Sequence, residues 1–122
     1  MKKLDPQGPT IEKLDGSWSD YTSGLNDNSV DAARRITYPD GREDFVIEAE
    51  SEEGNWSLRL SRIHQKFTGT WSYERDLRQF KIEMQLYQSA FDSDELLLLG
   101  TWEQPSGEIT HGSVRLWPDE DE

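Results

Sequence analysis

The sequence predicts an all-β domain, an eight-stranded antiparallel up-and-down barrel, with a two-sheet β-sandwich as the second choice. Three observations carry this reading. Apolar residues between Leu14 and Trp117 alternate with a period of two, most cleanly at Phe80, Ile82, Met84 and Leu86 against Gln79, Lys81, Glu83 and Gln85. The apolar runs are short and separated by turn residues, mostly glycine, proline and aspartate. No stretch of ten or more residues keeps the apolar stripe of a helix.

The elements follow in order. Residues 1–12, with two prolines and few apolar groups, read as a flexible lead-in. Residues 14–21 (LDGSWSDY) form a first strand, and 22–31 the longest polar loop. Strands at 32–38 and 43–50 flank PDGR, where Pro39 presets the turn dihedral and Gly41 accepts positive φ. The fourth strand, 55–63, places Trp56, Leu58 and Leu60 on one face. The fifth, KFTGTWSYE at 66–74, places Phe67, Gly69, Trp71 and Tyr73 on one face and Thr68, Thr70 and Ser72 on the other. The sixth spans 79–88. The seventh, 95–104, is apolar on both faces, and the last, 108–117, closes the chain before Pro118. The barrel domain is 13–118, and the DEDE of 119–122 is an acidic tail. Barrel closure leaves no exposed sheet edge, and eight strands enclose just enough space for side chains or one small ligand.

Composition narrows the function classes. A chain of 122 residues is long enough to bury one core unaided. There is no cysteine, so disulfide scaffolds, thiolate metal sites and cysteine nucleophiles are excluded. The two histidines, His64 and His111, are far apart in sequence, and no metal site or cofactor is expected. The net charge of −12 has the wrong sign for neutralising a phosphate backbone, so no nucleic-acid partner is expected. A basic protein partner fits that charge. Lys2 and Lys3 are followed by no apolar run, which gives a cytoplasmic location without membrane attachment as the expectation.

Tryptophan stands two residues after glycine at Gly16-Ser17-Trp18, Gly54-Asn55-Trp56, Gly69-Thr70-Trp71 and Gly100-Thr101-Trp102. Residues i and i+2 share a face of a strand, so at three of these sites the indole lies on the side of the glycine. Gly54 falls in a turn, and that match reads as coincidental. Glycine inside a strand marks a bend or a close approach, which a small curved barrel needs. The tryptophans then either pack the core or line a ligand pocket.

LDGSW on the first strand, followed by T-G-T-W strands, resembles the calycins, which comprise lipocalins, fatty-acid-binding proteins and avidins. The lipocalin resemblance implies that Trp18 closes one end of the barrel with Arg115 packed on it. FTGTWSY is similar to the avidin repeat, whose pattern implies a polar ligand contact soon after the first-strand Trp, at Asp20. The resemblance supports a fold, and no ligand follows from it.

No chemistry-bearing motif appears: there is no G-x-S-x-G elbow and no phosphate loop. Asp92, Asp94 and Glu95 cluster without the frame of an EF-hand. Arg34 and Arg35 point to opposite faces of one strand, so one of them lies inside or at a barrel end. The first functional expectation is a non-enzymatic protein holding a small apolar or aromatic ligand at the barrel mouth. Trp18, Trp71, Tyr73 and Trp102 are its wall, and Asp20 and Arg34 its polar contacts. The alternative is a protein-interaction module, an inhibitor, immunity or accessory protein built on a filled barrel with an acidic surface. Leu97 and Leu99, opposite Leu96 and Leu98, form a candidate homodimer seam.

Overall fold

The backbone runs up and down through antiparallel strands until the last closes on the first. The structure, a computed structural model, describes residues 8–20, 28–51, 54–76, 78–88 and 94–119. The strands are β1 (Thr10–Asp20), β2 (Asn28–Ser29), β3 (Ala32–Thr37), β4 (Glu43–Ser51), β5 (Gly54–Ile63), β6 (Lys66–Tyr73), β7 (Phe80–Gln88), β8 (Leu96–Glu103) and β9 (Ile109–Pro118). Neighbours in sequence pair in space from β3 to β9, and β1 pairs with both β3 and β9. Closure runs from Leu14 opposite Pro118 to Asp20 opposite Gly112. The all-β, eight-stranded barrel is as expected, with β2 as one extra short strand. β1 begins at Thr10, inside the segment read as lead-in, because Thr10, Ile11 and Glu12 continue the ladder with Thr37, Ile36 and Arg35.

β2 continues β3 along the same edge of β1, one residue out of step. Between the pairs Leu14–Ala33 and Ser17–Ser29, β1 advances three residues and its partner four. The extra residue is a β-bulge, held by Val30 N–H donating to Gly16 O and Asp31 N–H donating to Glu48 O. The bulge leaves both Val30 and Ala33 buried.

The period-two pattern turns one set inward on each strand. Phe45, Ile47, Leu60, Phe67, Met84, Leu98 and Leu116 are almost wholly buried and fill the middle of the barrel. Phe45 and Phe67 meet edge to face with centroids 5.2 Å apart. β7 alternates as its sequence demands, with Phe80, Ile82 and Met84 buried and Lys81, Glu83 and Gln85 exposed. On β8, Leu96 and Leu98 are buried while Leu97 and Leu99 stay half-buried on the outside.

Gly69 shows why this curvature needs glycine. A Cβ there would stand 1.8 Å from the backbone oxygen of Arg59 on β5. Gly100 meets the same obstacle, with Glu83 O 2.0 Å from where its Cβ would be. The repeated G-T-W of β6 and β8 is therefore one answer to one problem, a strand drawn against its neighbour too closely for any side chain.

The ends of the barrel differ. At the end that carries the PDGR hairpin, buried Glu43 is bound by Arg35 and by Arg62, the latter at 2.8 Å. Arg35 also lies over the Phe45 ring, 5.7 Å from its centroid. Outside, Asp44 takes Arg59 at 2.7 Å, and Tyr38 OH joins both. The PDGR hairpin is closed by Tyr38 N–H to Arg42 O and Gly41 N–H to Tyr38 O, both 2.9 Å, with Gly41 at φ 94°. Fixed charge thus lines one end, around a smaller cavity of about 350 Å³ walled by Arg35, Glu43 and Arg62, while the opposite end is aromatic.

Candidate functional site: a tryptophan-lined barrel mouth

Inward positions near the ends of β1, β4, β6 and β8, and near the starts of β5 and β9, converge on one cavity of about 510 Å³. That is the size range of small-molecule sites, about 300–1,000 Å³. Its wall holds Trp18, Trp56, Trp71, Tyr73 and Trp102, and its floor is Leu58, Ile82, Met84 and Val114. Asp20, Ser51, Gln104, Ser106, Glu108 and Thr110 supply the polar lining.

The aromatic wall is organised in pairs. Trp18 and Trp56 stand edge to face at 5.3 Å and 84°, and Trp71 and Tyr73 at 5.0 Å and 78°. Trp71 tilts over Phe80 at 5.0 Å, and its Nε1–H donates to Glu103 O at 2.9 Å, which fixes the indole. Trp102 lies against Gly112, where a Cβ would be 2.1 Å from the indole Cη2. Gln104 Nε2 donates to Thr110 Oγ1 at 2.6 Å beside it. Trp18 Nε1–H is buried and has no hydrogen-bond partner among the described residues. A buried donor without an acceptor costs about 1–3 kcal/mol, so such a group commonly meets a guest or an ordered water.

Five of the six residues expected at a ligand site come together here: Trp18, Asp20, Trp71, Tyr73 and Trp102. Arg34 does not join them. It is exposed on the outer face, because the β3–β4 register sets Arg35 opposite buried Phe45 and turns Arg34 outward. The inward arginine is Arg35, at the charged end of the barrel. Trp56 is the residue that sequence reasoning left out. Gly54 is the first residue of β5 rather than part of the turn, opposite Ser51 with φ 125°, and Trp56 keeps the register of Leu58 and Leu60, an alternation that was the signal placing it inside.

The pairing of Trp18 with Arg115 that the lipocalin resemblance implied is not formed. Trp18 stands opposite Val114 and Arg115 opposite Ser17, so the pleat sends the two side chains to opposite faces. Arg115 instead binds Glu95 at 2.6 Å and lies 5.9 Å from the centroid of the Trp117 ring, outside the barrel. His111 is exposed on the outer face, and His64 is an exposed turn residue with φ 59°. Among the described residues, no three His, Asp or Glu side chains are grouped to hold a metal ion. Asp92 of the acidic cluster lies outside the described residues.

No protein-family model matches the chain, and no curated protein sequence matches it. Among solved structures, the ywiB protein from Bacillus subtilis is similar in its chain trace, aligned over 91% of this chain and 93% of its own with a TM-score of 0.47 and 9% sequence identity.

Proposed function

We propose that the protein is a non-enzymatic, calycin-like barrel that holds one small, largely apolar or aromatic ligand in the mouth lined by Trp18, Trp56, Trp71, Tyr73 and Trp102. The observation that carries this reading is the cavity itself. Inward side chains fill the middle of the barrel, yet about 510 Å³ stays open at one end behind aromatic walls. Large rigid rings give contact area at little entropic cost, which suits a binding wall. Trp18 Nε1–H offers one directional contact, for an acceptor on the guest. The alternative of an interaction module on a filled barrel leaves this cavity without a purpose, although the acidic surface it relies on is shared by both readings.

The test is fluorescence titration with the neutral probe N-phenylnaphthylamine. Saturable enhancement of the probe with quenching of the tryptophans, weakened by Trp56→Ala and by Trp102→Ala, is expected. Probe emission that stays at its value in water at every protein concentration overturns the reading.

A further inference from the structure

Resting on the binding reading above, we infer that the ligand of this mouth is a cation, an ammonium or quaternary ammonium group carried on an aromatic or short alkyl body. The first ground is the wall. Four indoles and a phenol surround the cavity, and the negative π faces of such rings attract a cation, indole most strongly. A site meant only for hydrocarbon is served as well by aliphatic side chains such as Leu60, Leu98 and Leu116, which with Phe45 and Phe67 fill the middle of this barrel.

The second ground is the charge of the lining. Two carboxylates, Asp20 at the end of β1 and Glu108 before β9, lie in the cavity wall, and no lysine, arginine or histidine does among the described residues. Basic side chains are plentiful elsewhere in the chain, and Arg35 and Arg62 gather at the opposite end around Glu43. The two ends of the barrel thus differ in charge: Arg35 and Arg62 balance Glu43 at one end, while the carboxylates of the aromatic mouth have no basic side chain beside them in its lining among the described residues. The third ground is the whole molecule, whose charge of −12 raises the local concentration of cations and repels anions. The rings desolvate and hold the cation, while Asp20 and Glu108 neutralise it at the rim.

Three probes of nearly one shape decide the matter: benzyltrimethylammonium, its neutral carbon analogue neopentylbenzene, and benzylsulfonate. Each is titrated into the full chain, with binding read from tryptophan fluorescence. The cation is expected to bind about tenfold more tightly than the neutral analogue, the gain typical of a partly desolvated cation–π contact with nearby opposite charge. Benzylsulfonate is expected to bind more weakly than either. Raising the salt is expected to shrink the preference for the cation. The ratio of cation to neutral affinity falls about threefold or more in Glu108→Gln and again in Asp20→Asn with Glu108→Gln. Reading a ratio separates charge from any general loosening of the site, and Glu108 is exposed just before β9. Equal affinity for cation and neutral analogue, or a ratio untouched by both variants, overturns the cationic ligand while leaving a binding barrel. Failure of all three probes together with N-phenylnaphthylamine overturns both.

Discussion

Replacing Gly69 with alanine puts a methyl group where the structure has least room. Its Cβ would lie 1.8 Å from Arg59 O and 2.8 Å from Arg59 C, both backbone atoms of the adjacent strand. That is far inside ordinary contact, and no side-chain rotation relieves it. β5 and β6 must separate locally. Overpacking of this kind costs about 1–3 kcal/mol, and loosening about two ladder hydrogen bonds adds about 1 kcal/mol each. A loss of about 3–5 kcal/mol is expected, against a total stability of about 5–15 kcal/mol for an ordinary domain. Gly107→Ala is the control. Its Cβ meets nothing within 4 Å, but its φ of 94° remains unfavourable for alanine, at a cost of about 1–2 kcal/mol. Urea unfolding followed by tryptophan fluorescence gives both values. If Gly69→Ala loses no more than Gly107→Ala, close strand approach is not what glycine provides in KFTGTW.

Glu43→Gln leaves Arg35 and Arg62 facing a neutral group, and since both arginines are partly exposed a loss of about 2 kcal/mol in urea is expected rather than the full effect of breaking a buried pair; an unchanged midpoint removes the charged end from the account of stability. Trp18→Phe deletes the buried donor that has no partner among the described residues and is expected to change stability by less than about 1 kcal/mol, whereas Trp71→Phe removes the donor to Glu103 O and is expected to cost about 1–2 kcal/mol; the reverse order in thermal unfolding contradicts the hydrogen-bond assignment. The Arg78 side chain holds the Asp76 carboxyl below its ordinary value, and the Arg42 backbone N–H does so for Asp40. Each contribution is present in full above the unfolded value and disappears as pH falls through the folded one, so carboxyl NMR titrations showing ordinary midpoints refute both contacts. The Leu97 and Leu99 seam is probed by sizing Leu97→Glu, where a fall in mass supports a homodimer and an unchanged mass removes it.

The barrel was legible in the sequence because its physics is local. A period of two along β7, turn chemistry at Pro39 and Gly41, and glycine set two before tryptophan each depend on neighbours in the chain. The inward faces of β5, β6 and β7 follow from that alternation alone, and with them Trp56, Trp71 and Tyr73 of the cavity's five aromatic residues, while Trp18 and Trp102 are marked by the glycine two residues before each. The bulge before β3 was not legible, since the sequence carries no mark of one extra residue in a polar stretch. Arg34 and Arg35 show the same limit. Alternation requires that they part, but only pairing of Arg35 with Phe45 decides which enters.

Local alternation was enough to give the fold class, the order of the strands and the inward faces of β5, β6 and β7, because successive side chains point to opposite sides of a strand. Where the inward residues meet depends on how the barrel closes. Closure of β1 on β9 brings Trp18 to Trp56 and Val114, excludes Arg115 from that contact, and separates a charged end from an aromatic mouth. Distances across a barrel are fixed by register and curvature, which belong to all its strands at once.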